Sequence, residues 1–336
     1  MALKGKASFK RPKMKKGTRK YAGGKFNGNA VKKFAMSQLF DKFMVIKKTE
    51  GLARKTLADY VTHYDWFCDF LEVNEGVRDL LHEEITSEPF LDYVQFMQEK
   101  GLMNSTINIR IRTLRAFLRW CHSEEYIDEA IHVKFKPVKQ PNEQIDALTP
   151  DELQRILSVI DDTKYVGFRD ITMILVSVDS MVRISELLSI KRENVDVKNA
   201  SITLEPDSTK NRKGRTVPLS NRTLRYLNEY LAEIEDFYDE HLFLTYDGRP
   251  LEASSFRWIL KEYGNAAGVT NKRVSPHTLR HTGALFYILN GGDPFSLMRI
   301  LGHSDITMTR RYVNMATSNV TVQHNKFSPL KQLFDK

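Results

Sequence analysis

The chain has little cysteine, with only Cys68 and Cys121 among 336 residues. Two cysteines inside apolar helical patterns do not make the disulfide framework of a small secreted protein. Neither has the spacing to other ligands that a zinc site requires. The pair therefore predicts buried thiols in a reducing compartment.

Long hydrophobic runs are also absent. The longest apolar stretch, residues 171–178, is interrupted by polar residues and bounded by Asp170 and Asp179. It is too short to span a bilayer, which takes about 20 apolar residues. The glycine-rich phosphate loops GxGxxG and GxxxxGK[ST] are missing too. The sequence therefore gives no support to membrane insertion or to nucleotide-driven chemistry.

Acidic residues are lacking from one end of the chain. Residues 1–33 contain twelve Lys or Arg and no Asp or Glu, whereas the remaining residues hold 39 basic and 42 acidic side chains. The formal charge of +9 therefore arises from this end. We interpret residues 1–33 as a basic flexible arm that attracts DNA phosphates. A solubilising tail or a nuclear address is the alternative.

Residues 34–130 are predicted to form a helical domain. Aromatic and aliphatic residues recur there at three- and four-residue steps, which is typical of helices packed on one core. In the last helix, STINIRIRTLRAFLRW, four arginines punctuate the apolar pattern, and they are candidate DNA contacts: Arg110, Arg112, Arg115 and Arg119. A solvated helix face is the alternative for these arginines.

A second domain is predicted over residues 149–320, after a linker at 131–148. Thr149-Pro150-Asp151-Glu152 is a strong helix start, with Thr149 at the N-cap and Glu152 at the capping-box position. Residues 201–204 and 215–219 alternate as strands of a hairpin. The fold class is therefore mainly α with a small β-sheet.

Six residues in the second domain form a candidate catalytic set. Cleaving a phosphodiester without a metal needs a nucleophile, positive donors for the phosphate oxygens and an acid for the leaving oxygen. A tyrosine among several arginines, histidines and a lysine can supply these groups. The set is Arg183, Lys210, His277, Arg280, His303 and Tyr312.

The spacing supports joint action of these residues. Arg280 follows His277 by three residues on a predicted helix, so both side chains lie on one face. Glu186, one turn after Arg183, is placed to orient an arginine. Three further cations lie around Lys210 in the hairpin, so the residues alone do not single out Lys210. These three are candidate DNA contacts: Arg212, Lys213 and Arg215.

The segments SMVRISELL, STKNRKGRTVPL, SPHTLRHTGA and LGHSDITMTRRYVNM together resemble the tyrosine recombinase (phage integrase) family. Residues 34–130 are similar to the SAM-like core-binding domain that precedes the catalytic domain in that family. The resemblance assigns Arg183 and Arg280 to the scissile phosphate, His277 to proton transfer and His303 to a hydrogen bond with the phosphate. Lys210 would protonate the leaving 5′ oxygen, and Tyr312 would attack.

The same resemblance implies the setting of the reaction. It implies integration or excision of a phage or mobile element through a 3′-phosphotyrosine, with no metal, ATP or other cofactor. The partners would be double-stranded DNA with paired sites, a homotetramer on that DNA, and an accessory excision or DNA-bending factor. Residues 321–336 would form a tail for exchange between protomers. We expect a cytoplasmic protein of a bacterial cell or phage-infected host, with no membrane partner.

One position departs from the family pattern. Met181 stands two residues before Arg183, where related sequences commonly have glycine. Glycine there would suit a backbone with positive φ. A catalytically silent DNA-binding regulator with the same fold is therefore kept as an alternative, and so is a relaxing topoisomerase, which would need no partner duplex.

Overall fold

The computed structural model describes residues 33–140, 146–206 and 214–316, together with His324 and Ser328. The chain divides into two compact units, residues 1–143 and residues 144–336. Lys210, Arg212, Lys213 and most of the predicted tail lie outside the described residues. No described helix is long and apolar enough to cross a membrane.

Unit 1 is helical in its described part. Its helices are α1 Met36–Thr49, α2 Arg54–Glu75, α3 Glu88–Glu99, α4 Asn104–Ser123 and α5 Ile131–Lys134. Their aromatic side chains form the core: the Phe40 and Tyr64 rings stack with centroids 3.8 Å apart, and Phe67 and Phe117 are fully buried. The aromatic pattern of α2 is therefore a packing pattern.

The chain after α4 packs on unit 1. Ile131 and Phe135 are buried in its core. The Asn108 side chain of α4 donates to the Val138 carbonyl at 2.9 Å and accepts from the Val138 amide at 2.8 Å. The first part of the predicted linker, residues 131–138, thus belongs structurally to unit 1. Its apolar residues are too few to show a helical period, but they still fill a core.

Unit 2 combines helices with one small sheet. Its elements are α6 Pro150–Ser158, α7 Tyr165–Ser180, α8 Ile184–Leu188, β1 Val195–Asp196, β2 Ser201–Leu204, β3 Arg215–Pro218, α9 Asn221–Glu233, α10 Ala253–Ala266, α11 Pro276–Leu289, α12 Pro294–Leu301 and α13 Ile306–Ala316. The strands are antiparallel in the order β1-β2-β3. Ile202 faces Val217 across β2 and β3, and both are fully buried. The predicted fold class and hairpin strands are confirmed, whereas the two-residue β1 was not predicted.

The predicted helix start at the beginning of unit 2 is confirmed. The Glu152 amide donates to Thr149 Oγ1 at 3.2 Å, and the Thr149 amide donates to Glu152 Oε2 at 2.8 Å. These two bonds satisfy backbone donors that the first turn of a helix leaves free. Lys272 also pairs with Glu152 at 3.0 Å, which connects this helix start to the segment before α11.

Close packing of α7 and α11 sets the geometry of the site. At Gly283 of α11, an added Cβ would lie 2.0 Å from the Val178 carbonyl oxygen of α7 and 2.8 Å from Met181 Cγ. Only glycine permits this approach without displacing backbone. The helix that carries His277 and Arg280 therefore lies directly against the end of α7.

Candidate active site

Arg280 lies at the centre of the site and is only 5% exposed. Its Nη1 donates to the Met181 carbonyl at 2.7 Å, and its Nη2 donates to the Leu301 carbonyl at 2.8 Å. No carboxylate among the described residues lies within ion-pair distance of it. Burial, followed by the charge of Arg183, lowers the pKa of Arg280 to about 10. The guanidinium is thus fixed by carbonyl groups, and its charge is left available to an anion.

His303 is held against Arg280 by the turn after α12. Gly302 ends that helix with φ +63°, a conformation that favours glycine. Arg280 Nη2 lies 3.2 Å from His303 Nε2, and Thr309 Oγ1 lies 3.0 Å from Nδ1. Because arginine only donates, Nε2 accepts, and the ring hydrogen is on Nδ1. Burial and then Arg280 lower the pKa of His303 to about 4, so the ring is neutral at pH 7.

Glu186 organises two arginines of the site. It is fully buried and lies 2.9 Å from Arg183 Nη1 and 2.8 Å from Arg215 Nη2. The Arg183 amide donates to the same carboxylate at 2.8 Å. Burial raises the pKa of Glu186, but the bonds from Arg215 and from the Arg183 amide outweigh burial and lower it. Glu186 therefore stays ionised and orients Arg183 at the start of α8.

Arg215 also contacts α12, because its Nε donates to the Ile300 carbonyl at 2.8 Å. The sequence predicted Arg215 as a DNA contact, and that role stays a prediction. Its described contacts give it a structural role, since it connects β3 to Glu186 and to the turn before His303.

Tyr312 is buried at 3% exposure, in a cluster with Met181, Ala284, Leu297 and Leu301. Its hydroxyl lies 2.7 Å from His281 Nδ1. Burial raises the pKa of the Tyr312 phenol, although Arg280 and Arg311 oppose the shift.

His277 lies on the exposed side of α11. Partial desolvation and then the charges of Arg280, Arg257 and Arg183 lower its pKa. The site therefore combines arginine donors, neutral histidines and a phenol. Arg183, Arg280, His303 and Tyr312 lie together in unit 2, with His277 on the same helix as Arg280, and their catalytic roles stay predictions.

His281 is a residue of the site that sequence reasoning missed. It follows His277 by four residues, which places both on one face of α11. That spacing was a usable signal, because a second histidine on the face of a predicted catalytic histidine lies close to the same centre.

The four arginines of α4 are not on one face. Arg112, Arg115 and Arg119 line one cavity of about 430 Å³ on unit 1, together with Ser105, Asn108, Ile109, Ala116, Pro137 and Gln140. Arg110 lies elsewhere, with its guanidinium carbon 3.7 Å from the centroid of the Trp66 ring. Two residues along a helix correspond to about 200° of rotation, so Arg110 and Arg112 point in nearly opposite directions.

The described residues contain no group of three or more histidine, cysteine or acidic side chains that could hold a metal ion. The guanidinium groups of Arg280 and Arg183 are held in place by their hydrogen bonds, so they can donate to a bound anion. The phenol of Tyr312 lies at the same site, and its predicted role as nucleophile stays a prediction.

Two family models match the chain. The phage integrase family model matches residues 146–319, and the phage integrase SAM-like domain model matches residues 35–137. The chain therefore belongs to the phage integrase family. It is a tyrosine recombinase, an enzyme of site-specific DNA recombination.

Curated relatives agree with this assignment. The chain is 27% identical over 301 residues to tyrosine recombinase XerD of Staphylococcus epidermidis, covering 88% of this chain and 99% of the relative. It is 28% identical over 294 residues to tyrosine recombinase XerD of Staphylococcus aureus strain N315, covering 86% and 96%.

Solved structures share the fold. The Tn1549 transposon integrase in complex with a circular intermediate DNA superposes with a TM-score of 0.69 at 21% identity, covering 82% of this chain and 94% of that one. A lambda integrase from a tetramer bound to a Holliday junction gives a TM-score of 0.66 at 18% identity, covering 82% and 79%.

Proposed function

We propose that this recombinase cleaves and rejoins DNA through a covalent 3′-phosphotyrosine formed by Tyr312. The observation that carries the proposal is the buried guanidinium of Arg280, which is fixed by two carbonyls and lies near Arg183. No carboxylate of the described residues forms an ion pair with it. A buried charge without a counter-ion is costly unless an anion joins it. A scissile phosphodiester is an anion that needs this kind of donor.

The proposed cleavage step assigns one task to each group. Arg183 and Arg280 hold the non-bridging oxygens and stabilise the charge that grows on them in the transition state. As the family resemblance implies, His303 donates a hydrogen bond to the same phosphate; its Nε2 first takes up a proton, because the bound anion favours the charged ring. His277 assists proton transfer. Tyr312 attacks phosphorus, and the 5′ oxygen leaves with a proton from Lys210, as the family resemblance implies.

The phosphotyrosine keeps the energy of the broken bond, so the 5′ hydroxyl of a partner strand can reverse the step without ATP. Two duplex sites brought together by four protomers would then exchange strands. Neighbours described as bound to a circular intermediate DNA and to a Holliday junction support this reading. We propose a phage or mobile element as the substrate, in keeping with the transposon and lambda integrases among the structural neighbours.

Adduct capture from genomic DNA tests the proposal and needs no defined target site. Wild type and Tyr312→Phe are incubated with fragmented, nicked genomic DNA, denatured, and the covalently attached ends are sequenced. We expect adducts at a few recurring sequences with wild type and none with Tyr312→Phe. Recurring sequences at the ends of a mobile element would support the proposed substrate, whereas a recurring site elsewhere in the chromosome would overturn it.

Three other outcomes would contradict the proposal. Adducts that persist in Tyr312→Phe would show a different nucleophile. Adducts scattered without sequence preference would favour a topoisomerase. Tight binding with no adduct would favour the catalytically silent regulator.

A further inference from the structure

The hydroxyl of Tyr312 has a basic neighbour that the proposed mechanism does not yet use. Its ring packs against Met181, Ala284 and Leu301, and its oxygen meets the imidazole of His281 at 2.7 Å. The His281 and Tyr312 ring centroids are 5.8 Å apart. Within the described part of the chain, the Tyr312 hydroxyl forms its hydrogen bond with His281.

A phenol must lose its proton to become an effective nucleophile. Its ordinary pKa is about 10, and burial raises it further for Tyr312. Arginine cannot accept the proton, because its guanidinium stays charged in proteins. The acceptor therefore has to be another group, and a catalytic base must lie within hydrogen-bond reach of the proton it removes.

His281 meets both conditions. Burial, and then the nearby charges of His277, Arg280 and Arg311, lower its pKa to about 4, while Asp146 opposes them. The ring is therefore neutral at pH 7 and offers a lone pair. With the phenol donating to Nδ1, the ring hydrogen resides on Nε2.

Anion binding would strengthen this base. A phosphodiester on Arg183 and Arg280 offsets positive charge that disfavours a protonated His281. The imidazolium then forms in the presence of a new negative charge. The proton affinity of His281 therefore rises when the substrate phosphodiester is bound.

We propose that His281 is the catalytic base that accepts the Tyr312 proton during cleavage. This inference rests on the proposed function of Tyr312. As the bond from Tyr312 Oη to phosphorus forms and the bond from phosphorus to the 5′ oxygen breaks, the phenolic proton moves to His281 Nδ1. The leaving oxygen takes its proton from Lys210. In rejoining, the 5′ hydroxyl attacks phosphorus and gives its proton back to Lys210, the bond from phosphorus to Tyr312 Oη breaks, and the proton on Nδ1 returns to Tyr312.

The kinetic test compares His281→Asn and His281→Ala with wild type in the rate of adduct formation on fragmented, nicked genomic DNA. Asparagine places a polar atom near the position of Nδ1 but cannot take up a proton. We expect both variants to slow adduct formation by about 10²–10⁴-fold, the usual contribution of a general base. Added imidazole should restore part of the rate to His281→Ala, more so as pH rises through the pKa of free imidazole.

His241→Asn is the matched control. His241 is also half-buried in unit 2, where it pairs with Asp239 at 2.7 Å. Its variant should keep the wild-type rate. A rate for His281→Asn within threefold of wild type, or a loss in His281→Ala that imidazole does not relieve, would overturn the inference.

A second measurement needs neither DNA nor activity. Incorporation of 3-fluorotyrosine at position 312 gives one fluorine resonance, whose chemical shift reports the environment of the phenol. We expect His281→Asn to move that resonance at pH 7.5 and His241→Asn to leave it unchanged. If the chemical shift is the same in His281→Asn and wild type, the contact between His281 and Tyr312 is contradicted.

The two hypotheses fail in different ways. If wild type forms no Tyr312-dependent adduct, the proposed function fails and the inference falls with it. If wild type forms such adducts and the His281 variants form them at the wild-type rate, the inference alone fails.

Discussion

Met181 occupies a backbone conformation that non-glycine residues seldom adopt. It ends α7 with φ 53° and ψ 28°, where the family pattern has glycine. Its carbonyl accepts the bond from Arg280 Nη1, and its buried side chain packs beside Tyr312. The backbone at this position therefore has the positive φ that glycine favours. The cost of the left-handed conformation is offset by a side chain that fills space next to Tyr312.

Substitutions at Met181 should separate these two effects. Met181→Ala keeps a Cβ in the left-handed conformation and loses the buried side chain, so we expect a loss of about 2–4 kcal/mol in the free energy of unfolding. Met181→Gly loses the same packing but relieves the backbone, which should return about 1 kcal/mol. Chemical denaturation of the two variants would check the order. A glycine variant less stable than the alanine variant would show that the backbone is not strained.

Residue-level reasoning from the sequence located most of the site but not its internal contacts. The positions of Arg183, Arg280, His303 and Tyr312 followed from motif spacing and from the chemistry of phosphate cleavage. The contact of His281 with Tyr312 did not, because it joins two helices through residues that are 31 positions apart in the chain. Nor could the sequence show that Arg215 pairs with Glu186, because that pair forms only when the hairpin folds onto α8.

At the scale of elements, the helices and the hairpin were predictable where patterning and capping agree. Thr149 and Glu152 make the bonds that their spacing predicts, and the two hairpin strands lie where residues alternate. The α4 arginines show what composition alone misses. The four were grouped as candidate DNA contacts, whereas the helical period divides them between two faces.

The division of the α4 arginines leads to a prediction about DNA binding. Arg112 is exposed and shares a cavity with Arg119, so Arg112→Ala should weaken DNA binding. It should also reduce the slope of log Kobs against log salt by about 1, the change expected for one phosphate contact. Binding titrations between about 50 and 200 mM salt would measure both, because log Kobs falls linearly with log salt.

Arg110→Ala is the matched control on the same helix. Arg110 stacks on Trp66, so its loss should lower the free energy of unfolding by about 1 kcal/mol and leave the salt slope unchanged. Equal slopes for Arg112→Ala and wild type would show that this face of α4 does not meet DNA phosphates.

Across unit 2 as a whole, the buried neutral histidines predict acid sensitivity. The pKa values of His281 and His303 are about 4 in the folded protein and about 6.5 when unfolded. Between these values the unfolded chain binds more protons, so the free energy of unfolding falls as pH decreases from 6.5 to 4. Their contribution is fully present above pH 6.5. Hydrogen exchange of α11 and α13 peptides at several pH values would follow the loss.

Variants identify the groups responsible for this acid sensitivity. His281→Asn and His303→Asn remove a titrating group each, so each should make the dependence on pH shallower than in wild type. His241→Asn removes a histidine outside the site and serves again as the control for the substitution itself. If the free energy of unfolding falls with decreasing pH at the same slope in all four proteins, the assignment of acid sensitivity to the site is contradicted.

The charge asymmetry of the whole chain gives the last prediction. Deleting residues 1–32 removes eleven Lys or Arg and keeps Lys33, whose ammonium pairs with Glu83 at 2.9 Å. Because the remaining chain is close to neutral, most of its long-range attraction to DNA should be lost. The slope of log Kobs against log salt should fall by about 0.9 for each phosphate contact that the arm makes. A chain of full length with these eleven residues changed to Gln should behave like the deletion, since charge and not length is the cause. If the deletion flattens the slope and the Gln variant does not, the arm acts through its other residues. If neither variant flattens the slope, the recombinase holds DNA through its two folded units alone.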